Sequence, residues 1–217
     1  MSAPGSSGCD ARAMTRLFDL SPPLSTRLAV WPGDVPFARD VTSHPDGTTF
    51  SSISTTLHLG SHADAPLHMA RGAAAIDAVP LETWIGPCQV VEARVGPRGR
   101  VRLEDLSELP SAPRLLVKTG TFPDREHFTG DFAGLDPALA PQLATRGVVL
   151  VGIDTPSVDP YLDEAFEAHR ALVRAGVFWL EGLVLAHVPP GLYQLAALPL
   201  RIEGGDGSPV RAVLVAP

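Results

Sequence analysis

The chain has 217 residues, of which 45% are hydrophobic and 19% charged, and a formal net charge of -7. That length can bury one sizeable core, so a single domain is expected. The acidic balance without a basic run leaves no electrostatic footprint for nucleic acid or for an anionic membrane surface. No run approaches the roughly eighteen apolar residues that span a bilayer, so a soluble protein with small-molecule partners is expected.

The opening "MSAPGSSGCDARAM", residues 1–14, is small and polar and has no apolar stretch of the kind that directs export. It reads as a disordered extension before a domain over residues 15–217, in a cytoplasmic setting. Of the two cysteines, Cys9 lies in that extension and Cys88 in the apolar "GPCQVVEA", so a disulfide framework is not expected. "RLFDLSPPLSTRLAVWPGD" reads as a short strand followed by Pro-interrupted turns. "TTFSSISTTLHLGSHAD" is β-branched and alternating, which predicts a strand that runs into a loop near Gly60. "CQVVEARV", "RLLVKTG" and "GVVLVGID" are the Val- and Leu-rich runs of buried strands. "DPALAPQLATRG" predicts a helix opened by Asp136 and Pro137 and closed by Gly147. "LDEAFEAHRALVRAG" predicts a second, with Leu162, Phe166 and Leu172 on one face and Gly176 as its stop. "VFWLEGLVLAHV", "LYQLAALPLRI" and "PVRAVLVAP" read as closing strands, with "EGGDGSP" as the turn between the last two. The sum is a β-rich α/β domain with few helices.

The chemistry concentrates in "HLGSHADAPLH", which sets three histidines and an aspartate within eleven residues. On an extended chain side chains alternate faces, so His58, His62 and Asp64 point one way and Leu59 and Ala63 the other. Two imidazoles and a carboxylate suit Zn(II), Mn(II) or Fe(II) and leave a position for water or substrate. Further on, Glu181 interrupts the apolar "VFWLEGLVL", where an unpaired carboxylate would be costly. Either a metal or an arginine such as Arg170 or Arg174 would remove that cost. Asp154 ends a predicted strand, the kind of place where active sites gather, and an Asx turn before Pro156 accounts for it equally well. His44, His127 and His187 have no such company and read as surface or core residues. No G-x-S-x-G elbow, G-x-G-x-x-G or P-loop is present, and Cys88 has no activating neighbour, which leaves metal-activated water as the route to hydrolysis.

With its His-x-Gly-Ser-His-x-Asp-x-Pro-x-His pattern the sequence resembles the cyclase-type metal-dependent hydrolases, whose motif has Thr where Ser61 stands here. Within them it is most similar to the bacterial kynurenine formamidases. The likeness extends through "WPGD", "GVVLVGIDTPSVDP", "EAHR" ahead of "LEG", "VPPGLYQLAALPL" and "SPVRAVL". It implies a swivelling β/β/α fold, a homodimer and two divalent metal ions per subunit, zinc first and manganese as the other choice. By the same resemblance His58, His62 and Asp64 bind one ion, His169 with Asp64 and Glu181 the second, and Asp64 and Glu181 bridge. His68 is then the proton donor and acceptor, although alone it also reads as a third ligand, and Trp31 touches the substrate. The implied reaction is hydrolysis of N-formyl-L-kynurenine to L-kynurenine and formate in tryptophan degradation. An isatin-opening or other amide hydrolase of the group, and a non-catalytic metal-binding dimer, are the alternatives. Phe178 or Trp179 is a further candidate for an aromatic substrate wall. "KTGTFPDREHF" departs from the segment expected after its strand, at what should be the pocket wall.

Overall fold

The computed structural model describes residues 16–217; the predicted extension over residues 1–14, with Cys9, lies outside them. In chain order the strands and helices are β1 (Leu17–Asp19), β2 (Ala38–Ser43), β3 (Thr49–Ser54), β4 (His62–Asp64), α1 (Pro66–Met69), β5 (Ile85–Glu92), β6 (Arg100–Val101), β7 (Arg114–Lys118), β8 (Gly134–Leu135), α2 (Leu139–Thr145), β9 (Leu150–Ile153), α3 (Glu167–Ala175), β10 (Phe178–Glu181), β11 (Gly191–Ala196), β12 (Gly207–Pro209) and β13 (Val213–Val215). Nine strands form one mixed sheet in the order β1-β13-β11-β5-β7-β9-β10-β4-β12. Its centre, β5, β7, β9 and β10, is parallel, and the strands added on either side are antiparallel.

The apolar runs become the parallel centre because both of its faces are covered, and such strands need side chains that bury on either side. Val90, Leu116, Leu150 and Leu180 enter one core layer; Val91, Leu115, Val117, Val151, Ile153 and Trp179 enter the other, beneath α2 and α3. α3 lays Ala168, Ala171 and Leu172 on that second layer and ends at Gly176 as predicted. It begins later than expected. Leu162 is 78% exposed and Phe166 adopts φ 53, so neither belongs to the helix face. A left-handed conformation costs a non-glycine residue about 1–2 kcal/mol, and here it turns the chain into α3 beside the site.

Two other predictions change. β2 and β3 pair only with each other and are exposed along their length, so "TTFSSIS" forms a separate hairpin rather than a strand feeding the histidine loop. The chain from Leu57 to Ser61 is turn and bend, so strand alternation orders His62 and Asp64 but not His58. "EGGDGSP" is not a plain turn either, since its end forms β12 and pairs with β4 at the sheet edge.

Candidate metal centre

Strand register assembles the centre. β4 is antiparallel to β10, which sets Glu181 opposite His62 and Trp179 opposite Asp64. Residues two apart share a face, so all four side chains stand on the side covered by α3, and α3 supplies His169. Close backbone approach brings the histidine loop in. Gly60 and Gly182 have φ 64 and φ 66, and a Cβ on Gly182 would overlap the Gly60 carbonyl oxygen. The Ser61 hydroxyl lies 2.9 Å from the Gly182 carbonyl oxygen and 3.0 Å from that of Leu20, so the family's Thr-to-Ser departure keeps the bonding group.

The two carboxylates are ringed by imidazoles. Asp64 Oδ1 is 2.8 Å from His58 Nδ1 and 3.4 Å from His62 Nε2, while its Oδ2 is 3.6 Å from His169 Nε2. Glu181 Oε2 is 3.2 Å from His62 Nε2, and Oε1 is 3.1 Å from His169 Nε2. Each carboxylate thus faces at least two histidines. The arginine reading of Glu181 is overturned: the Arg170 Nε donates to the Ala165 carbonyl, and among the described residues no arginine or lysine pairs with Glu181. Asp64 and Glu181 are 0% and 3% exposed, so two negative charges are buried without a permanent cation. Burying such charges is expensive unless they are paired or bind metal, and the donor set of two carboxylates and three imidazoles fits a divalent ion.

A second ring of hydrogen bonds, which the sequence reading did not include, orients the first. Asp159 accepts the Ala168 and His169 backbone N–H groups at 2.7 and 3.1 Å, and it lies 2.6 Å from His169 Nδ1. One carboxylate therefore caps α3 and fixes which nitrogen His169 presents. The Gly60 carbonyl does the same for His62 Nδ1 at 3.0 Å. Trp179 donates Nε1–H to Asp64 Oδ2 at 2.8 Å, and Val158 N–H donates to Glu181 Oε1 at 2.7 Å. Asp206, brought in by β12, lies 3.1 Å from His58 Nε2 and 3.5 Å from His68 Nδ1. Asp154 stays outside this network. Its carboxylate accepts the Thr119 and Gly120 backbone N–H groups and the Thr119 hydroxyl, fastening the loop after β7 rather than making the Asx turn considered above.

Without metal, protons supply the positive charge. Burial opposes a proton on His58, but Asp64 and then Asp206 outweigh it and raise its pKa to about 9. His62 and His169 are likewise raised against burial, by Glu181 and Asp64 and, for His169, also by Asp159. Burial pushes Asp64 upward, yet its three histidines hold it well below the usual carboxylate range; Glu181 is also lowered. His68 goes the other way. Burial, helped by the charges of His58 and His169, lowers its pKa, so its ring tends to be neutral.

The centre forms the floor of a cavity of about 550 Å³. His68 reaches into it from α1, with its ring centroid 4.2 Å from that of His58. Trp31 lines it too, packed edge-on against Phe128 at 5.4 Å and tilted against Tyr161 at 5.3 Å. Phe178 and Trp179 do not line it: Phe178 packs on Trp84 in the opposite core layer, and Trp179 is fully buried behind Asp64. Phe122, Phe128 and Phe166 take the place expected of them. His44, His127 and His187 are exposed and away from the cavity, as expected.

The fold of this mixed sheet is shared with known proteins. The family model described as "Putative cyclase" matches residues 18–160, and the chain belongs to this cyclase family. Its relatives include the kynurenine formamidases of Bordetella petrii, 42% identical over 207 residues, and of Bordetella pertussis, 43% identical over 206; each match covers 93% of this chain and 98% of the relative. Among solved structures, a predicted metal-dependent hydrolase from Bacillus stearothermophilus superposes with TM-score 0.80 at 29% identity, covering 94% of this chain and 99% of that one. Isatin hydrolase A from Labrenzia aggregata shares the fold, with TM-score 0.78 at 24% identity over 93% and 94% of the two chains.

Proposed function

We propose that this protein is a kynurenine formamidase, hydrolysing N-formyl-L-kynurenine to L-kynurenine and formate within tryptophan degradation. The observation that carries the reading is the buried pair Asp64 and Glu181, ringed by His58, His62 and His169 at the floor of the cavity. The extent of likeness to the Bordetella formamidases supports the substrate. We assign His58, His62 and Asp64 as the residues that would hold one ion, and His169 with Asp64 and Glu181 as those that would hold a second. Zinc is the first choice, since mixed imidazole and carboxylate sets with an open position are typical of it.

A divalent ion held by these residues would supply Lewis acidity, making water more acidic and a carbonyl carbon more open to attack. The chain's own residues supply the rest. The reaction forms a C–O bond at the formyl carbon and breaks its C–N bond, and the departing aniline nitrogen must take a proton because an anilide anion leaves poorly. We assign the carrying of that proton to His68. Its Nδ1 is turned toward Asp206, which leaves Nε2 to accept a proton from water and return it to nitrogen. Trp31, Phe122 and Phe128 give the aryl ketone a flat apolar wall that excludes water.

Wild type should show its highest kcat/KM on N-formylkynurenine, below it N-formylaniline, and lowest isatin. Trp31→Ala should narrow the gap between the first two by up to about tenfold, the worth of one aromatic contact. Steady-state assays on the three compounds decide this. Isatin turned over best, or a gap that Trp31→Ala does not change, defeats the assignment or its pocket.

We assign the protein to the cytoplasm as a homodimer of the domain spanning residues 15–217. No helix among the described residues is long and apolar enough to cross a membrane, and the buried Cys88 is a free thiol. The β2–β3 hairpin supports a dimer, since it leaves Phe50 and Ile53 60% and 61% exposed on one arm. Sedimentation should give a mass near twice 22.9 kDa; a monomer at micromolar concentration counts against the dimer.

A further inference from the structure

The cavity wall carries one permanent cation. Among the described lining residues Arg125 is the single arginine or lysine, and it lies in "KTGTFPDREHF", the segment that follows β7. Its Nη2 donates to the carbonyl oxygens of Asp154 at 2.9 Å and Leu183 at 2.7 Å. The guanidinium is thereby pinned across the ends of the neighbouring parallel strands β9 and β10, with Leu183 two residues past Glu181. The Phe122 ring lies 5.4 Å from its Cζ, and the Arg125 carbonyl accepts the Ala29 N–H at 2.8 Å, tying this loop to the segment that carries Trp31.

What Arg125 lacks is an anion. Among the described residues no carboxylate oxygen comes within the 4.0 Å of an ion pair, and the nearby Asp154 carboxylate is taken up by Thr119 and Gly120. The residue is half-buried, and burial lowers its pKa against the pull of Asp154, yet a guanidinium stays charged at neutral pH. A desolvated cation without a partner is costly, and one whose orientation is already fixed is ready for an incoming acceptor. Two carbonyls engage only Nη2, so Nε and Nη1 remain as donors.

We propose that Arg125 is the specificity-determining residue that receives the α-carboxylate of the substrate's amino-acid end while the formamide lies over the histidine and carboxylate floor. This rests on the formamidase reading, which supplies a substrate with a carboxylate at one end and a formanilide at the other. Phe122, Arg125 and Phe128 all come from this one segment and all line the cavity.

The test compares N-formylkynurenine with N-formylkynuramine, which keeps the amine and has hydrogen in place of the carboxylate, on metal-loaded wild type, Arg125→Met and Arg125→Lys. Wild type should prefer the carboxylate-bearing compound. In Arg125→Met the ratio of the two kcat/KM values should fall about 10- to 100-fold, the range of one hydrogen bond to a charged group, mainly through KM. Arg125→Lys should recover part of it. A purely structural Arg125 would lower both substrates together and leave the ratio fixed, and that result overturns the proposal, as does a ratio unchanged in every variant. If wild type hydrolyses N-formylkynuramine or another formanilide but not N-formylkynurenine, the formamidase reading fails first and the role of Arg125 falls with it.

Discussion

Glu181→Gln and Asp64→Asn are expected to lose bound metal and, with it, essentially all turnover, while His44→Ala keeps both. The two amides preserve shape and remove only charge, so a loss isolates the electrostatic demand of the centre. Asp64 and Glu181 each face at least two of the three imidazoles, so neutralising either should weaken both ion positions rather than one. Loss of an outer-shell partner alone typically costs about 10–100-fold, and removing an inner carboxylate should exceed that. Elemental analysis of protein purified without chelators and supplied with zinc gives ions per chain, and circular dichroism confirms the fold. Stoichiometry that matches wild type in both variants would refute the ligand assignment. His44 is the proper control because it is exposed, lies outside the cavity lining and packs its ring on Phe50, 5.2 Å away.

His68→Ala is expected to keep its metal and lose about 10²–10⁴-fold in kcat, the usual contribution of a positioned acid-base group. His68 differs from the three proposed histidine ligands in its place and in its electrostatics. It sits on α1 at the cavity wall, its Nδ1 is 3.5 Å from Asp206, and unlike His58, His62 and His169 its pKa is driven down. It also lies within reach of His58 and Asp64 as a possible group of three donors, so the alternative role as a ligand is concrete. Parallel metal analysis and single-turnover kinetics distinguish the two. Metal lost from His68→Ala makes it a ligand, and near-normal turnover with metal retained removes it from the chemistry.

The sequence shows some parts of this centre because they are local. His58, His62, Asp64 and His68 fall within eleven residues, and Glu181 stands out as a charge in an apolar run. The parallel strands were readable for a related reason, as runs that need both faces covered. The groups that were not readable arrive through pairing over long sequence separations. Asp206 reaches His58 because β12 adds to β4, and Trp179 reaches Asp64 because β10 pairs with β4. Asp159 meets His169 because α3 sets its first turn over that carboxylate. The start of α3 was misread because Leu162 and Phe166 continue a helical spacing that the left-handed Phe166 interrupts.

The position of Trp179 gives the protein a built-in optical probe. Its indole N–H is bonded to Asp64, and its ring stands edge-on to His169 at 5.4 Å, so any ion that reorganises those two groups changes the surroundings of this fluorophore. The other tryptophans report elsewhere: Trp84 is sealed in the opposite core layer, and Trp31 is half-buried at the cavity wall. Emission can therefore follow filling of the cavity floor through one indole and occupancy of the space above it through another, in the native chain and without an added label.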